Sequence, residues 1–234
     1  MARRTFFAAR IAATLVLVFV MTGCDSEPAQ RKTFNEFLQT RILDKPGIHV
    51  PKPSAEQTAA FGPYAKHYEV ITDFHAGLDQ AVSKPLQRAL EAAPRSLDQL
   101  APRRKEIAEI RGGMAGIRAA LDKQLATADA AHAALKQPDD LKKVYDAAYD
   151  RVVTQPAKAF AEIFPDVYEA TRAILALADF LDKNSAKIKI NGPMLQVADP
   201  ALQPQLQSLI DAMRAKQEAM QKAQQRLRSV TYGS

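Results

Sequence analysis

The sequence has very little of the chemistry on which disulfide and metal folds depend. Its 234 residues include one cysteine, four histidines and no tryptophan. A single cysteine excludes an intramolecular disulfide framework, and so few Cys and His residues exclude a zinc-finger architecture. The rest of the composition, 47% hydrophobic and 25% charged residues, is that of an ordinary globular chain. A chain of this length can form one domain around a hydrophobic core.

Motifs of the common enzyme classes are also missing. The chain has no Gly-x-Ser-x-Gly, no His-Glu-x-x-His and no glycine-rich phosphate loop. His67 and His75 are eight residues apart, about 12 Å along a helix, which is too far to share a metal ion without ligands from another element. We therefore expect no catalytic residue, no metal site and no cofactor other than a covalent lipid.

The first 24 residues have the layout of a lipoprotein signal peptide. Three arginines precede an apolar run at residues 11–23, which is shorter than the roughly 20 residues that span a bilayer. The run ends in Met21-Thr22-Gly23-Cys24, which resembles a bacterial lipobox. We predict cleavage after residue 23, and a diacylglyceryl group and an N-acyl chain on Cys24. Several acyl chains anchor a protein stably in a membrane. The alternative is a soluble secreted protein with a free thiol.

Cleavage would change the net charge of the protein, and the residue after the lipidated cysteine predicts the membrane in which it stays. Removal of residues 1–23 takes away three arginines and no acid, which halves the net charge from +6 to +3. Nucleic acid is not expected as a partner, because the basic residues are not interleaved with stacking aromatics. Asp25 follows the lipidated cysteine as in enteric lipoproteins that stay in the inner membrane, so we predict the inner rather than the outer membrane. Residues 24–30 would form a lipidated tether, and 31–234 a single helical periplasmic domain.

The remainder of the chain has the periodicity of amphipathic helices. The clearest apolar stripe runs from Ile107 through Met114 and Leu121 and predicts one long central helix within residues 102–136. Gly112 and its neighbour Gly113 interrupt this stripe, and we expect a kink, a break or a close helix crossing there.

Prolines divide the segments on either side of the long helix. Pro85 and Pro94 are expected to break up one stretch, Pro156 to start a short helical turn, and Pro165 to start a separate, longer helix. At residues 187–197 the period changes to two around an Asn-Gly pair, which predicts a β-hairpin. The predicted fold is therefore all-α: a multi-helix bundle with one long central helix and a small β-hairpin before the C-terminal helix.

One segment contains a candidate polar or interaction site. His132, Lys136, Asp139 and Asp140 lie close together along the chain. The two aspartates also fit as the N-cap and first-turn acids of the next helix, which would be a structural role. His75 lies on an apolar stripe and is expected to be a hydrogen-bonded core histidine.

Four segments resemble a known family. They are residues 30–39, the Phe-Gly-Pro-Tyr at 61–64, the stretch at 127–141, which is the most specific, and the Val-Val-Thr-Gln-Pro-Ala at 152–157. These segments are similar to the YiaF-like family of bacterial lipoproteins, a domain-of-unknown-function family. The resemblance implies a lipoprotein with one helical domain, and it supplies no catalytic residue.

Two functions remain open from the sequence. The first is a non-catalytic structural or protein-interaction module of the envelope, which binds another envelope protein through helical grooves or through its Gln-rich last helix. The second is a small-ligand or lipid binder, in which apolar helix faces enclose a cavity at the membrane surface. A closed, tightly packed core would contradict the second function.

Overall fold

The computed structural model describes residues 26–91, 94, 96–191 and 194–233. Most of these residues are helical, and the predicted all-α fold with one long helix and a small hairpin is confirmed. The elements are α1 Ser26–Leu38, α2 Ala55–Ala60, α3 Ala65–Leu78, α4 Lys84–Glu91, α5 Arg104–Ala133, α6 Asp139–Tyr149, α7 Gln155–Lys183, β1 Ile188–Asn191, β2 Met194–Val197 and α8 Gln203–Tyr232. None of the described helices is both long and apolar enough to cross a bilayer.

Two π-helical turns join helices without ending them. Asp79–Ser83 connects α3 to α4, and Asp150–Thr154 connects α6 to α7. Each turn ends two residues before a proline, Pro85 or Pro156. Proline has no N–H to donate to the carbonyl four residues earlier, and its ring collides with that carbonyl. The wider π-helical turn relieves the collision. The helical path therefore continues through both prolines, contrary to the break predicted at Pro85.

The helix boundary predicted at Pro165 is also wrong. Pro165 lies inside α7, so the two helices expected on either side of it are one helix of 29 residues. Pro165 has no N–H, so the carbonyl oxygen of Ala161, four residues earlier, lacks its helical donor. Arg118 on α5 donates a hydrogen bond to this oxygen instead. Pro94 does lie outside a helix, after the end of α4.

The long central helix α5 is continuous over 30 residues. Its buried residues Ile107, Met114, Leu121 and Ala128 recur every seven positions, as the apolar stripe predicted. The predicted break at 112–113 is wrong, because α5 is one helix from Arg104 to Ala133. A close helix crossing there is also excluded, because a Cβ atom placed on either glycine would meet no atom of another element within 4 Å. Both glycines are exposed.

The first helix begins earlier than the predicted tether allows. α1 starts at Ser26, so residues 26–30 are helical, and Tyr64 donates a hydrogen bond to Glu27 in the first turn. An acid in this turn also interacts favourably with the helix dipole. Cys24 and Asp25 lie outside the described residues, so their roles in lipidation and sorting stay predictions.

Three apolar clusters hold the bundle together. The first is rich in aromatic residues and unites α1, α3 and α6 with the C-terminal half of α5. The second joins the hairpin to the start of α5, the end of α7 and the start of α8, and the third lies between α4, α5, α7 and α8. In the hairpin, Ile188 pairs with Val197 and Asn191 with Met194. The most extensive helix pairing is that of α7 with α8.

Candidate functional site

The structure does not bring the four residues of the predicted polar site together. Lys136 is exposed beyond the end of α5, and Asp139 and Asp140 are exposed in the first turn of α6. The N-cap of α6 is Pro138, so Asp139 is a first-turn acid and not the cap. Asp140 instead lies 3.4 Å from Arg31 of α1, which ties the first helix to the start of α6.

His132 contacts a residue that was not part of the predicted site. Its Nε2 lies 2.8 Å from Oδ1 of Asp146, whose Oδ2 accepts a hydrogen bond of 2.5 Å from Lys142. Burial alone would raise the pKa of Asp146, but the hydrogen bonds from Lys142 and His132 outweigh it and hold that pKa below its usual value. Asp146 is therefore an ionised carboxylate that accepts hydrogen bonds from two donors, and it is poorly suited to accept a proton.

Tyrosines and a second histidine extend this contact into a structural layer. The ring of His132 lies 4.1 Å from that of Tyr149, which donates to Asp129, and Tyr145 donates to the main-chain oxygen of His67. Burial raises the pKa of both tyrosines, and in Tyr149 the bond to Asp129 adds to the effect. The hydroxyls thus stay protonated and act as donors that join α3, α5 and α6.

A different part of the molecule has the geometry of a ligand site. A cavity of about 350 Å³ lies between α4, α5, α7, α8 and the segment before α5. This volume is at the lower end of the range for small-molecule pockets, roughly 300–1,000 Å³. Of the sixteen described residues that line the cavity, thirteen are apolar. The bundle is therefore not closed at this position.

The cavity has a buried floor and an exposed mouth. Ile107, Met114 and Val167, from α5 and α7, are at most 5% exposed and form the floor. Ser96 and Gln217 are both exposed and line the cavity at its opening. The mouth therefore lies between the segment before α5 and the middle of α8.

Polar chemistry inside the cavity is sparse. Its lining has only three polar side chains among the described residues, and none of them is charged. Thr171 already donates to the carbonyl oxygens of Val167 and Tyr168 in its own helix. Ser96 and Gln217 at the mouth are left to meet a polar group of a ligand. This arrangement suits an apolar molecule, and the described part of the lining contains no acidic or basic side chain.

Sequence periodicity located the lining residues but not the cavity. Met114, Met213 and Met220 each fall on an apolar stripe of their helix. Two of them belong to α8 and one to α5, and all three line the cavity. Methionine is a flexible residue that occurs at adaptable binding surfaces, which is the one signal in the sequence that could have indicated a cavity.

Comparisons with known proteins identify relatives but no activity. The sequence model of a family described as "Protein of unknown function (DUF3053)" matches residues 12–228. The chain is 28% identical over 214 residues to the uncharacterized protein YiaF of Escherichia coli K12, with 90% of each chain covered. The YiaF proteins of Escherichia coli O157:H7 and Shigella flexneri match to the same extent. No solved structure matches the chain.

Proposed function

The chain belongs to the DUF3053 family of proteins of unknown function. From its sequence and its cavity we propose that it is a lipid-anchored, non-catalytic protein of the bacterial envelope whose helical domain binds an apolar ligand. The lipid on Cys24 would hold the domain on the periplasmic face of the inner membrane. The lipobox pattern at 21–24 supports the anchor, and Asp25 supports the inner membrane.

The open apolar cavity is the observation that carries the proposed binding function. Apolar surface left in contact with water costs roughly 25 cal/mol for each Å² compared with buried surface. Elsewhere the described part of the chain covers such surface well, since only Tyr168, Met194 and Tyr232 are large hydrophobic residues that remain exposed. A site of this composition gains stability when an apolar molecule fills it.

The start of α1 supports a position close to the membrane. Only Asp25 separates Cys24 from the first residue of this helix.

The cavity lies far from the start of α1. α1 contacts the start of α6, and α6 contacts the end of α5 through the pair of His132 and Asp146. The cavity borders α5 from residue 107 to 114, about 30 Å along the helix from His132. The proposed ligand site thus lies at the end of α5 away from the anchor.

Photolabelling of the cavity tests the proposed binding function. The full chain in phospholipid vesicles would be labelled with a small uncharged aryl diazirine, and the adducts mapped by mass spectrometry. We expect adducts on the cavity segments of α5, α7 and α8. Ala170→Phe places a large side chain in the lining and should abolish them. Ala176→Phe, on the exposed face of the same helix, is the matched control. Equal labelling in both variants would contradict the proposal.

A protein partner is a second candidate function, and the hairpin favours it. Met194, the first residue of β2, is 63% exposed. This side chain offers another envelope protein an apolar contact at the edge of the hairpin. A photoreactive residue at position 194 in intact cells should then give one reproducible crosslinked protein, with position 176 as the control. No reproducible crosslink from position 194 would argue against this function.

A further inference from the structure

The shape of the cavity restricts what can enter it. It borders α5 at residues 107–114, α7 at 167–174 and α8 at 213–220, a stretch of about 10 Å on each helix. A volume of about 350 Å³ is at the lower end of the range for small-molecule pockets. The cavity therefore fits a small, extended ligand better than a helix of a partner protein, which is about 10–12 Å wide with its side chains.

The lining restricts the chemistry of the ligand in the same way. A charged group in the interior would find no opposite charge among the described lining residues and would lose its hydration. A polar group fits only at the mouth, beside Ser96 and Gln217. The thioether side chains of Met114, Met213 and Met220 can adjust to a flexible apolar chain.

We propose that the cavity binds one linear acyl chain, with the tail against the floor at Met114 and the head group at the mouth near Gln217. This inference rests on the proposed binding function and adds the class of ligand to it. The acyl chain could be that of a free fatty acid or of a single-chain phospholipid, because both present the same hydrocarbon to the interior.

Competition against the photolabel tests the linear shape. The full chain in vesicles would be labelled with the aryl diazirine in the presence of hexanol, octanol, decanol or dodecanol, each referred to its free aqueous concentration. We expect affinity to rise about fourfold for each added methylene until the cavity is full and then to level off. Decanol should compete at least tenfold better than adamantanol, a compact alcohol with the same number of carbon atoms. Equal competition by the two would overturn the acyl-chain inference.

The outcomes separate this inference from the proposed function. If adamantanol displaces the photolabel from the cavity as well as decanol does, the apolar site is supported and the linear ligand is refuted. Absence of cavity labelling would refute both. Dodecanoate and dodecanoyl lysophosphatidylcholine form a second arm. Competition by either supports the inference, and the stronger competitor identifies the source of the chain. Failure of both, with decanol active, would overturn the inference for natural lipids.

Discussion

Arg118 of α5 donates a hydrogen bond of 3.1 Å from its guanidinium to the main-chain carbonyl oxygen of Ala161 in α7. Pro165 stands four residues after Ala161 and has no N–H, so the carbonyl lacks its ordinary helical donor. The second proline of this helical path has the same arrangement. His75 Nε2 donates at 2.5 Å to the carbonyl of Val152, four residues before Pro156. Both contacts join the path formed by α6 and α7 to a neighbouring helix.

Arg118 should therefore contribute to stability through Pro165. We expect Arg118→Ala to lower the free energy of unfolding by roughly 1–3 kcal/mol, because the Ala161 carbonyl is left without a donor. Pro165→Ala restores the helical N–H, so the same Arg118 substitution should cost about 1 kcal/mol less in that background. Urea denaturation of the four proteins measures this coupling. Asp122→Ala is the control for the ion pair between Arg118 and Asp122. If the free-energy costs of Arg118→Ala and Pro165→Ala are additive in the double variant, the coupling between the two residues is contradicted.

Acid should destabilise the fold through His75. Burial lowers the pKa of His75, and its bond to Val152 only partly offsets this effect. The unfolded chain then takes up a proton at higher pH than the folded one, so stability falls as the pH drops below the unfolded value of about 6.5. His75→Gln keeps a side-chain donor and cannot titrate. Its free energy of unfolding should decline less between pH 7 and pH 5 than that of the wild type, as measured in urea. Identical pH profiles would disprove this role.

Two glycine substitutions should have opposite effects on stability. Gly47 has a φ of 68°, and an added Cβ would lie 2.4 Å from the carbonyl oxygen of Thr231 at the end of α8. Gly47→Ala should therefore cost at least about 1–2 kcal/mol. Gly112→Ala adds a methyl group on the open face of α5 and should gain about 0.5–1 kcal/mol. Thermal unfolding should show a lower Tm for the first and a higher Tm for the second. A lower Tm for both would show that Gly112 has a packing role.

Cys24 is predicted to be the site of lipid attachment. Replacement by alanine removes the thiol that accepts the diacylglyceryl group, so Cys24→Ala should accumulate as the uncleaved precursor. The measurement is incorporation of labelled palmitate, which should disappear together with the size shift on gels. Retained labelling would end the lipoprotein hypothesis.

Asp25 is predicted to keep the protein in the inner membrane. In an enteric host, Asp25→Ser should move the protein toward the outer membrane, because the retention signal is read at this position. Separation of the two membranes on a density gradient measures the shift. Wild-type protein already in the outer membrane would refute the predicted location.

Local periodicity predicted correctly the elements whose buried face is visible in their own sequence pattern. Met114 and Leu121 are buried on one stripe of α5, as their spacing predicted, and Ile188 pairs with Val197 in the hairpin predicted at residues 187–197. Pro165 was misinterpreted because its compensating donor, Arg118, lies 47 residues away in the chain. A pattern within one helix contains no information about such a partner.

The candidate site was less predictable than the fold for a related reason. His132 was grouped with the residues nearest in sequence, whereas its structural partner Asp146 lies on the next helix, 14 residues away. The cavity is formed by side chains from four helices and from the segment before α5. Apolar side chains such as Ile107 give the same sequence pattern whether they face a neighbour or an opening.

The aromatic cluster of α1, α3, α5 and α6 contains no residue of α8, whereas α8 supplies one wall of the cavity. All the residues of that cluster precede α8 in the chain, between positions 34 and 164. Substitutions in α8 can therefore reshape one wall of the cavity without changing any residue of the first cluster.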